Sequence, residues 1–160
     1  LLNRNKKYQI ILIKFLPEFF LFLIFIQIII GAFVSGMDAG RIYNSWPLMG
    51  NSYFPDDSNL LDLFEITAFS DPSLVQFLHR NLAYLISLFY FILIFIVFKK
   101  KLKQLIKPVT ILGLIILLQI ILGILTILNG ANIIVASLHQ FSSILLISSS
   151  LYFVFKNRFV

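Results

Sequence analysis

Two histidines, His79 and His139, are the residues of this chain best suited to hold a cofactor. Each lies in a long apolar segment, and their settings are alike: Leu78-His79-Arg80 and Leu138-His139-Gln140. An ionisable side chain inside a bilayer is costly, usually faces the bundle interior and marks a functional site by default. For either histidine alone, a hydrogen-bonded interior residue is the plain alternative; a matched pair is harder to explain that way. Zinc asks for four N, S or O ligands, and the chain has no cysteine and no carboxylate at that depth. A low-spin haem needs only two axial donors, because the porphyrin supplies the other four. Met37 and Met49 are also donors in principle, but methionines in a loop read as packing.

The elements that position these histidines can be read from the gaps between charges. Residues 19–37, 81–98 and 108–155 carry none. A helix crossing the hydrocarbon needs about 20 residues at 1.5 Å each. The third stretch is therefore two crossings, divided at Asn129-Gly130-Ala131-Asn132, its only good turn sequence. This predicts an all-α membrane protein: one four-transmembrane-helix bundle over 1–160, with helices near 15–36, 74–98, 108–128 and 133–155 and a long loop over 37–73. Pro17 and Pro108 are expected near the first turns of their helices, where a missing N–H costs little. The first apolar segment is long enough to stay as a span rather than serve as a signal peptide.

Composition agrees. The 160 residues are 59% hydrophobic and 12% charged, with a mean hydropathy of +0.96. Ordinary soluble domains are about 25% charged, so a soluble enzyme and a disordered tail are excluded, and the absence of cysteine excludes a disulfide scaffold. The net charge of +6 does not signal nucleic acid in so apolar a chain; the expected anionic partner is the phospholipid surface. Arg4, Lys6, Lys7, Lys14, Lys99, Lys100, Lys101, Lys103, Lys107, Lys156 and Arg158 all fall on one side of the spans, whereas the 37–73 loop holds Arg41 against six acidic residues. The positive-inside rule places both termini on the cytoplasmic or matrix side. His79 and His139 then sit about five and six residues into parallel helices, both roughly 8 Å below the outer edge. A haem plane between them suits a four-helix bundle core.

An internal repeat supports this layout. Gln27-Ile-Ile-Ile-Gly31 and Gln119-Ile-Ile-Leu-Gly123 precede the two histidine segments, so the bundle reads as two related hairpins. Taken alone, Gln-x-x-x-Gly reads as helix packing: the small residue lets backbones approach and the amide hydrogen-bonds across. Arg80 reads either as a bidentate partner for a haem propionate or as a side chain snorkelling to the interface. Gln76 reads as a hydrogen-bond partner or a plain interfacial residue. In the outer loop, Asp38, Arg41, Tyr43 and Asn44 are candidates for a hydrogen-bonded cap at the membrane face, with Trp46 and Tyr43 as interfacial anchors in the alternative.

The segment from Gly31 to Gly50, reading GAFVSGMDAGRIYNSWPLMG, closely resembles the haem A synthase family, as does Val75-Gln-Phe-Leu-His79-Arg80-Asn-Leu-Ala-Tyr84. Gln119–Thr126 and Ala136–Gln140 complete the resemblance, which touches all four helices and points to the carboxy-terminal half of the cysteine-free branch. It implies an eight-span protein of two related halves that oxidises a methyl group of haem O to the formyl group of haem A for terminal oxidases. It further implies that His79 and His139 ligate a b-type haem, while the amino-terminal half handles the substrate and carries a glutamate one turn before its first histidine. The matching residue here is Gln76, which puts independent catalysis in doubt, and no catalytic residue is assigned. The chain begins Leu1-Leu2 without an initiator Met and is read as a piece of the longer protein.

The alternative is a non-enzymatic membrane cytochrome or haem-binding assembly subunit. A transporter is disfavoured, because the spans offer no ionic path. Expected partners are the bilayer, haem, the amino-terminal half, a haem O synthase or electron-transfer protein, and a second copy of the chain. The expected location is the bacterial cytoplasmic membrane or the mitochondrial inner membrane.

Overall fold

The computed structural model describes the backbone of residues 2–159 and the side chains from Phe15 to Phe159. Leu1, Val160 and the side chains of Arg4, Lys6, Lys7 and Lys14, on which part of the sidedness expectation rests, lie outside the described residues. Four helices carry the chain: α1 (Leu2–Gly36), α2 (Pro72–Lys99), α3 (Lys103–Leu128) and α4 (Ile133–Asn157). All four are long and apolar enough to cross a membrane. Among the described residues there is no strand, only one isolated bridge between Met49 and Ser52. The protein is an all-α, multi-pass membrane bundle. With no water in the bilayer core, helices satisfy every backbone group internally, which is why the long Leu, Ile and Phe runs fold this way.

Two helix starts differ from expectation. α1 begins at Leu2 and α3 at Lys103, so Pro17 and Pro108 lie in helix interiors rather than first turns. The residues upstream of each proline, chiefly Lys, Leu, Ile and Gln, are helix formers with no stop signal among them. A proline inside a membrane helix forgoes one hydrogen bond, a defect such helices tolerate. The turns meet the rules of helix ends more closely. Asp71 caps α2 by accepting from the N–H groups of Ser73 (2.8 Å) and Leu74 (3.1 Å), with Pro72 at the first helical position. Asn132 caps α4 through Ile134 N–H at 3.0 Å, after Gly130 and Ala131 turn the chain with positive φ.

The helices stand in a ring in chain order, each packed on its sequence neighbour and α1 closing on α4. α2 and α4 therefore face each other diagonally and run in the same direction. The apolar core joins Phe20, Leu23 and Ile24 of α1 to Ile86, Tyr90, Leu93 and Val97 of α2, Leu105–Ile116 positions of α3, and Leu146 and Phe153 of α4. It fills the half of the bundle nearest the basic turn at 100–102 and stops one to two turns short of both histidines. The other half holds the glutamines, glycines and histidines beneath the outer loop, with Ile30, Leu74 and Val75 also buried there.

That loop is an ordered lid rather than a tether. It carries three short 3-10 turns, Ala39–Arg41, Leu60–Phe64 and Ile66–Ser70. Phe54 and Tyr53 pack edge-on against Phe77 of α2 at 5.1 and 5.7 Å, and Phe69 lies against Phe33 of α1 at 6.0 Å.

Candidate functional site

The repeated sequence builds the same unit twice. In the first hairpin, Gln27 of α1 donates from Nε2 to the main-chain oxygen of His79 on α2 at 3.0 Å. In the second, Gln119 of α3 donates to the main-chain oxygen of His139 on α4 at 3.3 Å. One turn beyond each glutamine sits the glycine of the motif. A Cβ placed on Gly31 would stand 3.1 Å from Cε1 of His79, and one on Gly123 would stand 3.2 Å from Cε1 of His139. The glycines thus admit an imidazole edge, not a neighbouring backbone, which refines the packing reading of Gln-x-x-x-Gly.

Because α2 and α4 are diagonal, the two units bring their rings together across the bundle. The ring centroids of His79 and His139 are 6.4 Å apart, with planes at 87°. Both side chains are half-buried. Among the described residues no group of three or more His, Cys, Asp or Glu stands together.

This arrangement fits a cofactor that brings its own equatorial ligands. A metal–imidazole bond is about 2 Å long, so a metal bonded on both sides, with the ring radii added, spans close to the observed centroid separation. Four buried polar atoms without partners belong to this level of the bundle: Gln27 Oε1, Gln76 Oε1, Arg80 Nε and His139 Nδ1. Buried polar groups in native proteins are normally paired, so their concentration around the histidines is what a polar ligand or its water would relieve.

The outer loop closes over the site through Arg80, which is buried and bonded to the loop rather than open to solvent. Its Nη1 donates to the carbonyls of Ser45 (3.0 Å) and Leu48 (3.3 Å), and its Nη2 donates to Tyr43 (3.0 Å). Gln76, one turn earlier and also buried, donates to the same Tyr43 carbonyl at 3.1 Å. The loop backbone from 43 to 48 is thus pinned directly above His79.

The four residues expected to cap the outer face do not form one cluster. Asp38 and Arg41 make an exposed pair at 3.8 Å. Tyr43 donates its hydroxyl to Asp57 at 2.9 Å, and Ser73 at the start of α2 donates to the same carboxylate at 2.8 Å. Although partial burial pushes the other way, the Ser73 and Tyr43 hydroxyls together hold the Asp57 carboxyl below its usual range. Burial, and then the Asp57 carboxylate, raise Tyr43 above its ordinary value. Asn44 reaches the second hairpin, donating to Gly40 (3.0 Å) and to Ile127 of α3 (3.1 Å). Trp46 donates to the Tyr84 hydroxyl at 3.1 Å, and Met49 is buried within the loop itself.

Asp57, Ser73, Tyr84 and Ser142 escaped the sequence reading. Ser142, which receives the Gln119 amide at 2.6 Å, has no counterpart in the first hairpin's motif. Its only signal is its position three residues after His139, on the same helical face.

The profile of a cytochrome oxidase assembly protein family matches residues 4–151. A haem A synthase of Pelagibacter ubique is 46% identical over 156 residues, covering 98% of this chain and 46% of that protein. Haem A synthases of Rickettsia prowazekii and Wolbachia pipientis are each 43% identical, over 84% and 88% of this chain and 40% and 39% of theirs. The chain therefore spans under half the length of the relatives it matches. No solved structure matches it.

Proposed function

This chain belongs to the cytochrome oxidase assembly protein family, and from that premise we propose that it is the haem-holding half of a haem A synthase. As a multi-pass chain with bacterial relatives, it resides in the bacterial inner membrane. The observation that supports the functional reading most is the His79–His139 pair, 6.4 Å apart on diagonal helices, each ring seated on a glycine and tied by a glutamine. His79 and His139 would hold a b-type haem by its iron. A haem so held would supply one-electron transfer, with its potential tuned by the two histidines and by burial.

The chain's own residues bind, orient and seal. The glycine seats and glutamine amides fix the imidazoles. Arg80 and Gln76 draw the 43–48 backbone down over His79, and Arg80 Nε remains for an anionic group such as a propionate. In the complete protein this half would serve the oxidation of a haem O methyl to the haem A formyl. Both termini and the 100–102 turn would face the cytoplasm. The chain lacks cysteine, so single cysteines at Asn59 and Lys101 test the sidedness: in sealed right-side-out vesicles an impermeant reagent should label Asn59→Cys and spare Lys101→Cys, and labelling of Lys101→Cys overturns it.

A second reading, an electron-transferring haem-binding subunit without catalysis of its own, is favoured by Gln76. Its amide is committed to the loop, and no carboxylate replaces it in α2. The deciding measurement is an optical spectrum, oxidised and reduced, with a pyridine haemochrome assay on the purified chain. One b-type, low-spin, six-coordinate haem per chain is expected. A chain that takes up no added haem overturns the haem-holding role. Haem A formation on co-expression with an amino-terminal half separates the enzyme reading from the subunit reading.

A further inference from the structure

The two glutamine–histidine units share a motif but not a bonding pattern. Besides the His79 carbonyl, the Gln27 amide nitrogen lies 3.2 Å from Nδ1 and 3.3 Å from Nε2 of the His79 ring. Gln119 makes no bond to a ring nitrogen of His139. Its second contact is Ser142 Oγ, which in turn donates to the His139 carbonyl at 3.0 Å. His139 Nδ1 is left buried and without a partner, whereas Gln27 Oε1 is the unpartnered atom of the first unit.

We propose that Gln27 is a positioning residue for the His79 imidazole, fixing the ring's rotation about its side-chain bonds, and that Gln119 anchors backbone only, so that the two axial positions are unequal by construction. The inference rests on the haem reading above. The ring of His79 is held by α1 at two points: the Gln27 amide nitrogen lies nearly equidistant from both ring nitrogens, over the ring rather than along one lone pair, and Gly31, one turn along the same helix, bears on Cε1. No hydrogen bond reaches the ring nitrogens of His139, which has the Gly123 seat but no counterpart of the Gln27 contact, so its plane is less constrained than that of His79. Partners that hold a ligating imidazole typically change metal affinity 10–100-fold when removed.

Gln27→Met and Gln119→Met test this, because methionine keeps the length and packing of glutamine and removes its hydrogen bonds. In a low-spin ferric haem, the anisotropy of the electron paramagnetic resonance spectrum reports the angle between the axial imidazole planes. The wild-type chain is expected to show one such spectrum. Gln27→Met should broaden or shift it and weaken haem affinity about tenfold, while Gln119→Met leaves the spectrum's anisotropy in place. A haem-free readout runs beside it: diethyl pyrocarbonate should modify His79 faster in Gln27→Met than in wild type, with the His139 rate unchanged. Equal spectra and equal His79 rates in wild type and Gln27→Met overturn the positioning role. So does an equal disturbance by Gln119→Met. If Gln27→Met does not purify as a monodisperse protein, Gln27→Leu, matching its isoleucine neighbours, replaces it; failure of both makes Gln27 a folding residue and overturns the proposal. A wild-type chain without haem but with the Gln27-dependent His79 rate sinks the haem reading and leaves the ring contact standing.

Discussion

Gly31 and His79 meet so closely that a single methyl group would touch: a Cβ at position 31 would lie 3.1 Å from the ring's Cε1, and Gly123 stands to His139 in the same way at 3.2 Å. Contacts that tight require the ring to shift by a few tenths of an ångström. Alanine is better than glycine in a helix interior by about 1 kcal/mol, so Gly31→Ala and Gly123→Ala should not lower helix stability. Both should speed haem loss, measured by transfer to an apo-globin, while melting of the haem-free protein stays level or rises. Unchanged haem loss in both variants would remove the seat from the site.

His79→Ala or His139→Ala should abolish tight haem retention, and Arg80→Ala should only weaken it. The larger effect of Arg80→Ala falls on the loop. Three carbonyls lose a charged donor at once, a local cost of about 3 kcal/mol, which limited proteolysis between residues 43 and 58 would reveal. Equal haem retention in the three variants removes the two-histidine site.

Far from the site, Gly113 of α3 faces the Tyr90 hydroxyl, which donates to Val109 O at 3.2 Å. A Cβ at 113 would lie 2.0 Å from that oxygen. Gly113→Ala must push a buried ring aside, and overpacking of this kind costs about 1–3 kcal/mol. Adding Tyr90→Phe to Gly113→Ala should recover part of the loss. Thermal unfolding in detergent gives both numbers, and a neutral Gly113→Ala contradicts the packing at the α2–α3 contact.

The loop should also show a pH window. Asp57 is held below its ordinary value of 3.8, so its bonds to Ser73 and Tyr43 contribute above that value and are lost as pH falls through the lower, folded one. Tyr43 is raised above 10.0, so its contribution persists below 10.0 and is lost as pH climbs past the folded value. Trp46 fluorescence should therefore report a constant loop between about pH 4 and pH 10, with a transition at either end. In Asp57→Asn the acid transition should vanish; its survival there would assign it to another group.

The spans were legible because charge is so costly in hydrocarbon that its absence over long stretches leaves few alternatives. The helix count follows once the length of a crossing is added, and the turn at 129–132 from its Asn-Gly-Ala-Asn sequence in an otherwise unbroken apolar stretch. Helix starts were less legible, since a proline marks a boundary only where the residues before it cannot continue the helix, and lysine and leucine can. The histidine pair was visible as a repeated triplet at matched depth. The division of labour around it was not. That Arg80 is spent on three backbone carbonyls depends on where the 43–48 chain happens to fold, and Ser142, standing where the first hairpin has Leu82, shows its part only through the Gln119 amide that reaches it.

The hydrogen bond from Asn44 to Ile127 joins residues 83 positions apart, and beside it Gly40 comes against Ala131, leaving 3.3 Å between an added Cβ and that side chain. For a free chain, closing a loop of that length would cost on the order of 4 kcal/mol in lost freedom, more than the bond returns. In a bilayer the helices are already upright and side by side when the rim comes together, so the lateral search is over before the clasp forms. The membrane thus does for this junction what a covalent staple does in a small secreted protein, and a contact too weak to organise the chain in water becomes sufficient to lock one hairpin to the other.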